Sequence, residues 1–299
     1  MAVLTVGVAS SALFDLTASD RVFTEEGLEA YRRYQDSHLE VPLEPGPAQP
    51  FVRRLLALND VVEDAVDVIV LSRNSAETGL RVMRSVAAAG LPIHRAVFRD
   101  GLSSYDFMPA LQMSLFLSAN PSDVARAVAA GHPAGTVFGG TEPDTDDAGL
   151  RVAFDFDGVL ADDSSERVYR TGGLPEFSRR EQELAQEPLQ PGPLTGFLKS
   201  LNEIQAAESR AAGDDPQYQP RLRVCLVTAR SAPAHERAVT SLRAWGLRVD
   251  DAFFLGGLPK APVLEVLRPH VFFDDQTQHL TGLRHTPSVH VPFGVANLS

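Results

Sequence analysis

The chain has 299 residues, 44% of them hydrophobic, which is enough for two domains of ordinary size and carries no signature of disorder. Its formal net charge of −12 argues against nucleic acid as a partner, because polyanion binding needs a clustered basic surface; a polyanionic substrate would have to be met by a local positive site. A single cysteine, Cys225, excludes an internal disulfide, and no apolar run approaches the roughly 18 residues of a membrane span, so the expectation is a cytoplasmic protein that does not contact a membrane.

Residues 3–14 read as a first strand ending at Asp15 and Thr17. A helix over 24–36 follows, then the turn Glu44-Pro45-Gly46-Pro47 and a helix over 50–59. Residues 66–71 are a β-branched run ending in Ser72, the pattern of a buried parallel strand. A helix over 76–89 is closed by Gly90, a short strand over 115–117 ends at Ser118, and 122–130 is helical. The polar, acidic, turn-rich segment 139–149 (GGTEPDTDDAG) marks a boundary between a domain over 1–140 and another over 150–299.

The second part holds the chemistry-bearing residues. In 151–160 (RVAFDFDGVL) an apolar run delivers Asp155 and Asp157 to its end, and Gly158 lets the backbone turn. Residues 206–220 (AAESRAAGDDPQYQP) read as a loop. The run 223–227 ends in Thr228, Ala229 and Arg230; Lys260 follows the turn Gly256-Gly257-Leu258-Pro259; and 271–273 ends in Asp274 and Asp275. Ligands of open α/β sheets bind beyond the carboxyl ends of the strands, so these polar groups are candidates for one assembled site.

The chain also repeats itself. Ser72 matches Thr228 at an offset of 228 − 72 = 156, as do Gly90-Leu91 with Gly246-Leu247, Gly101-Leu102 with Gly257-Leu258, and Leu115-Phe116-Leu117 with Val271-Phe272-Phe273. Glu44-Pro45-Gly46-Pro47 matches Gln190-Pro191-Gly192-Pro193 at offset 146, and Phe14-Asp15 matches Phe154-Asp155 at offset 140. In this alignment the first copy keeps Asp15 and Ser72 but has Thr17 for Asp157, Ser104 for Lys260, and Ser118 and Ala119 for Asp274 and Asp275. It is therefore expected to keep the fold without the polar cluster, and to pack on the second half or help close its pocket.

DFDGV, VTAR, a lone Lys and FFDD, in that order, resemble the four motifs of the haloacid dehalogenase (HAD) superfamily, and VTARSAPAHERAV, LRAWGLRVDDAFFLGGL, GLEAYRRYQ and LSRNSAETGLRV are similar to the cytosolic 5'-nucleotidase type I family. The resemblance covers nearly the whole chain. It implies an α/β fold of two tandem Rossmann-like, HAD-type units from an internal duplication, parallel sheets flanked by helices, with a cap inserted in the C-terminal unit over about 160–220. It implies Mg²⁺-dependent hydrolysis of nucleoside 5'-monophosphates through an aspartyl-phosphate, which splits a slow reaction into two easier steps. Asp155 would be the nucleophile and Asp157 the general acid and base, while Thr228 and Lys260 hold the phosphate and Asp155, Asp157 (by its backbone carbonyl), Asp274 and Asp275 hold the metal.

Arg230, Arg73 and Asn74 are weaker candidates for substrate contact, Arg73 and Asn74 in a pocket between the halves; His235, Tyr169 and Phe177 are further ones, against a packing role. The resemblance leaves open a nucleotide effector and a homo-oligomer. Alternatives are a phosphatase or phosphotransferase for another small phosphorylated metabolite, and a nucleotide-sensing protein with little turnover.

Overall fold

The computed structural model describes residues 2–139, 148–213, 215–283 and 285–297. Segment 140–147, where most of the expected domain boundary falls, lies outside the described residues. Continuous apolar runs make parallel strands that are covered on both faces, and the chain uses them in one mixed α/β sheet flanked by helices.

In the N-terminal half, β1 (Leu4–Ala9) leads to α1 (Ser10–Leu13), α2 (Thr17–Glu26), α3 (Leu28–Ser37) and α4 (Gln49–Leu56). Then come β2 (Val66–Ser72), α5 (Ala76–Ala88), β3 (Arg95–Phe98), β4 (Leu115–Ser118), α6 (Pro121–Ala129) and β5 (Ala134–Phe138). The C-terminal half runs β6 (Leu150–Phe154), α7 (Ser164–Glu183), α8 (Thr195–Ala212), β7 (Leu222–Thr228), α9 (His235–Ala244), β8 (Asp251–Phe254), α10 (Ala261–Leu267), β9 (Val271–Asp274), α11 (Thr277–Leu280) and β10 (Ser288–His290).

All ten strands form one sheet in the order β3-β2-β1-β4-β5-β10-β9-β6-β7-β8. The expected separate sheets are thus one, joined where β10 pairs antiparallel with β5, Val289 opposite Val137. Each half read outward-in has the same order, and the core crosses the join: α8 touches β1, α4 touches β6, and the rings of Phe51 and Phe273 meet edge-on at 6.4 Å.

Hydrogen bonds between side chains and the backbone repeat between the halves. Leu43 N–H donates to Ser85 Oγ as Leu189 N–H does to Ser241 Oγ, both at 2.9 Å. Arg81 Nε donates to Val41 O as Arg237 Nε does to Glu187 O. Asn74 N–H donates to Ser72 Oγ as Arg230 N–H does to Thr228 Oγ1.

Register corrects the match of Asp15 with Asp155. Val8 lies opposite Val70 and Leu117 as Phe154 lies opposite Leu226 and Phe273, so Ala9 holds the place of Asp155 and Ser11 that of Asp157, which also displaces Thr17 from that role. Asp15 instead accepts the Thr17 N–H at 2.8 Å at the head of α2, as Asp162 serves Ser164 at the head of α7. A two-residue likeness cannot fix register, whereas the hydrogen-bond ladder does.

Other boundaries shift for local reasons. The expected first strand stops at Ala9, because Ala12 and Leu13 are buried through the helical turn α1, and burial alone does not separate a strand from a helix. The helix expected over 24–36 is two helices, broken at Gly27 with φ 84°. Segment 206–220 is not all loop: its alanines and charged residues continue α8 to Ala212. There Glu208, 2% exposed, accepts the N–H groups of Arg221 (2.6 Å) and Leu222 (3.3 Å) and the hydroxyl of Tyr218 (2.7 Å). Within 160–220, α8 buries Phe197, Leu198, Leu201 and Ile204 in the main core, whereas α7 buries only Ser165 and Glu181.

Truncating Glu208 would strip three donors of their acceptor, so Glu208→Ala should lower the unfolding free energy in urea by about 2 kcal/mol. An unchanged urea midpoint would show that water replaces the carboxylate at no cost.

Candidate active site

Parallel strands β6, β7 and β9 end together, and their last residues form a buried charged cluster. Asp155, 5% exposed, follows β6, its N–H donating to Phe273 O at 2.8 Å. Lys260, at the head of α10 and 2% exposed, sets its ammonium 2.8 Å from Asp155 Oδ1 and 2.6 Å from Asp274 Oδ2. Asp274 also accepts the Gln276 N–H at 2.8 Å and lies 3.1 Å from His279 Nδ1. Thr228, 1% exposed, ends β7. Asp155, Asp274, Thr228 and Lys260 are therefore brought to one place.

Burial costs these carboxyls their charge unless a cation answers it. Burial pushes Asp155 up to about 6 against the pull of Lys260, with Asp274 adding to the rise. Burial likewise opposes ionisation of Asp274, but Lys260 and His279 outweigh it and hold that carboxyl below the ordinary carboxylate range. Asp275 makes no ion pair among the described residues: burial, then the charges of Asp155 and Asp274, push it up to about 9 against the pull of Lys260, and its Oδ1 is buried with no hydrogen-bond partner among them. Lys260 is also disfavoured by burial, yet Asp155 and Asp274 keep its pKa above the usual lysine value.

Three carboxyls thus face one ammonium. That excess and the orphaned Asp275 oxygen fit a hard divalent cation held by carboxylate oxygens, and Asp155 and Asp274 group with the nitrogen of His279 in having ligand atoms within 4.8 Å of one another. Gly158 is obligatory beside it, with φ 73° and with Asp275 Oδ2 only 2.5 Å from where a Cβ would stand.

The Asp157 carboxylate turns to a second network. Arg230, 3% exposed, donates through Nε and Nη2 to both oxygens of Asp157 at 2.7 Å. Its remaining donors reach Glu181, Ala234 O (3.0 Å) and Ser165 Oγ (2.8 Å), so the guanidinium has no donor to spare for a substrate. Glu181 also accepts Arg237 Nη1 at 2.8 Å. Two arginines here balance two carboxylates. Phe156 and Phe177 flank Arg230, 5.0 and 5.5 Å from its guanidinium carbon.

Arg73 and Asn74 do not line a pocket between the halves: they lie on a cavity walled by N-terminal residues, where Arg73 pairs with Asp123. His235 meets Phe254 edge-on at 5.5 Å, and Tyr169 packs on Phe177 at 6.2 Å. His279, Glu181 and Ser165 were not singled out from sequence. Glu181 and Ser165 act on partners 49 and 65 residues away, and His279 sits in a four-residue helix too short to show a period.

A family model described as 5'-nucleotidase matches residues 1–298. The human protein named Cytosolic 5'-nucleotidase 1B is 35% identical over 295 residues, covering 96% of this chain and 48% of its own length. This chain therefore spans about half the length of that curated relative. No solved structure matches.

Asp275 gives a pH dependence whose sign follows from its raised pKa. The folded, metal-free protein keeps a proton that the unfolded chain releases near pH 4, so the stability from this group is complete below about pH 4 and is lost as pH rises through about 9. Melting temperatures in EDTA should fall between about pH 5 and 9, and Asp275→Asn should flatten the slope. Added Mg²⁺ should raise the melting temperature more at pH 8 than at pH 5; no response to Mg²⁺ at either pH would remove the cation site.

Proposed function

The chain belongs to the 5'-nucleotidase family, and from that premise we propose that it hydrolyses nucleoside 5'-monophosphates to nucleoside and phosphate with Mg²⁺. The observation that carries the reading is the buried Asp155 at the end of β6, 2.8 Å from Lys260 and backed by Asp274 and Asp275. The nucleotide substrate is carried over from the relative's name.

In this reading Asp155 attacks phosphorus, forming an acyl phosphate as the bond from phosphorus to the nucleoside 5'-oxygen breaks. Asp157 gives that oxygen its proton, then takes one from the water that attacks the acyl phosphate and frees phosphate. Both carboxylate oxygens of Asp157 accept from Arg230, so proton delivery in the first step requires one of those bonds to open. Thr228 offers its hydroxyl to the phosphoryl oxygens, and Lys260 offsets charge on Asp155 and on the phosphate. Asp155, Asp274 and Asp275, with the Asp157 backbone carbonyl, would hold Mg²⁺, which supplies neutralisation of the charge between nucleophile and substrate.

The same strand order and the repeated hydrogen bonds support reading the halves as two copies of one unit, HAD-like over 1–140 and catalytic over 150–299. The cap corresponds to α7, with α2 and α3 its counterpart: Gly27 and Gly173 break the two at the same point, and the edge-on pair Phe23–Tyr31 repeats as Tyr169–Phe177.

Phosphate release from a panel of ribo- and deoxyribonucleoside monophosphates and non-nucleotide phosphates should require Mg²⁺ and fall about a thousandfold or more in Asp155→Asn. Asp15→Asn should stay within about twofold, since Asp15 only serves the head of α2. Activity that survives in Asp155→Asn would refute the assignment. Arg230→Lys keeps the charge but loses the fork, and should lower kcat about tenfold or more with KM little changed; a rise in KM alone would instead place Arg230 on the substrate.

A further inference from the structure

A cavity of about 690 Å³ opens at the carboxyl ends of the N-terminal strands, in the place that the catalytic cluster occupies in the other half. By register and matching bonds, the carboxylates, the arginine and the lysine of the site are here replaced by neutral groups, while Asp123 stands where His279 does. Ala9 stands for Asp155, Ser11 for Asp157, Asn74 for Arg230, and Ser104 for Lys260 at the head of the next helix. Ser118 and Ala119 stand for Asp274 and Asp275, and Gln35 takes Arg81 Nη1 as Glu181 takes that of Arg237.

Three consequences follow for what the cavity can hold. Among the described residues no carboxylate cluster lies on its floor to bind a metal; the floor carries hydroxyls, with Ser10 and Ser72 Oγ atoms 3.0 Å apart. Asn74, shorter than Arg230, lines the cavity; its Oδ1 accepts from the Tyr31 hydroxyl at 2.9 Å, and its amide nitrogen is buried without an acceptor among the described residues. At the rim Asp15, Asp20 and Asp123 outnumber Arg73, which is already paired with Asp123, so a phosphate dianion would be repelled. Tyr105 and Phe116 line the wall, and Phe138, 40% exposed, stands at the mouth, giving aromatic faces beside hydroxyl and amide groups.

We infer that the N-terminal half is a metal-free binding site for an uncharged nucleoside, the product class of the proposed reaction, and that it turns nothing over. The ligand class rests on the nucleotidase reading; the site itself rests on the cavity.

The test uses the full chain in EDTA, titrated calorimetrically with adenosine, with uridine and with inorganic phosphate, together with hydrogen exchange on the wild type. At least one nucleoside should bind and phosphate should not. Peptides covering 10–17, 72–75 and 103–106 should gain protection, while those covering 155–162 and 228–231 should not. Asn74→Leu should weaken binding by about tenfold or more, and Asp155→Asn should leave it within about twofold. Protection confined to 155–162, phosphate binding in the N-terminal half, or no binding of either nucleoside overturns the inference. Should Asn74→Leu fail to fold, the wild-type exchange pattern decides. AMP hydrolysis by the wild type, assayed separately with Mg²⁺, separates the two readings: hydrolysis without nucleoside binding sinks only this site, and the absence of both sinks the nucleotide reading itself.

Discussion

The structure depends on one constraint: three carboxyls, Asp155, Asp274 and Asp275, are buried where parallel strands end, and a single ammonium, Lys260, stands among them. Buried charge is tolerated only where it is paired, and Lys260 pairs with two of the three. Asp275 is left needing a proton or a cation. An aromatic layer backs the cluster: Phe154 and Phe273 stack at 5.2 Å on the strands that present the carboxyls, and Phe197 meets both edge-on. A site held this way is preorganised for a charged ligand and unstable toward its own ionisation, two sides of one electrostatic fact.

Beside that unbalanced cluster lies a balanced one. Arg230 and Arg237 answer Asp157 and Glu181, and all five donors of Arg230 are used. Ser165 lies before the Gly173 break in α7 and Phe177 and Glu181 after it, so Arg230 ties both pieces of α7 to the placement of Asp157. In the proposed mechanism this makes Arg230 a positioning residue, acting through Asp157 without touching substrate.

Much of this was legible in the sequence, for identifiable reasons. Strands buried on both faces announce themselves as apolar runs, so the ends of β6, β7 and β9 and the polar residues that follow them could be placed before any coordinates. The edge strands β3 and β8 and the strands at the join, β5 and β10, are too short to leave such a run, and β10 has only three residues. Glu208 shows the opposite failure: a polar, alanine-rich stretch reads as loop, yet one buried carboxylate that collects three donors holds its helix to the next strand. Asp15 was misplaced because Phe-Asp recurs, while the strand ladder puts Ala9 opposite. Pairings such as Arg230 with Glu181 are invisible to local pattern, since only the fold brings them together.

The central claim is that covalent chemistry belongs to Asp155. Rapid acid quench of the wild type mixed with a nucleoside monophosphate and Mg²⁺, followed by peptide mass analysis, tests it most directly. The account predicts a transient phosphoryl group on the peptide that contains Asp155, and none on peptides from 1–139. A phosphoryl group on any other residue, or single-turnover hydrolysis with no phosphorylated peptide at any time point, would contradict it.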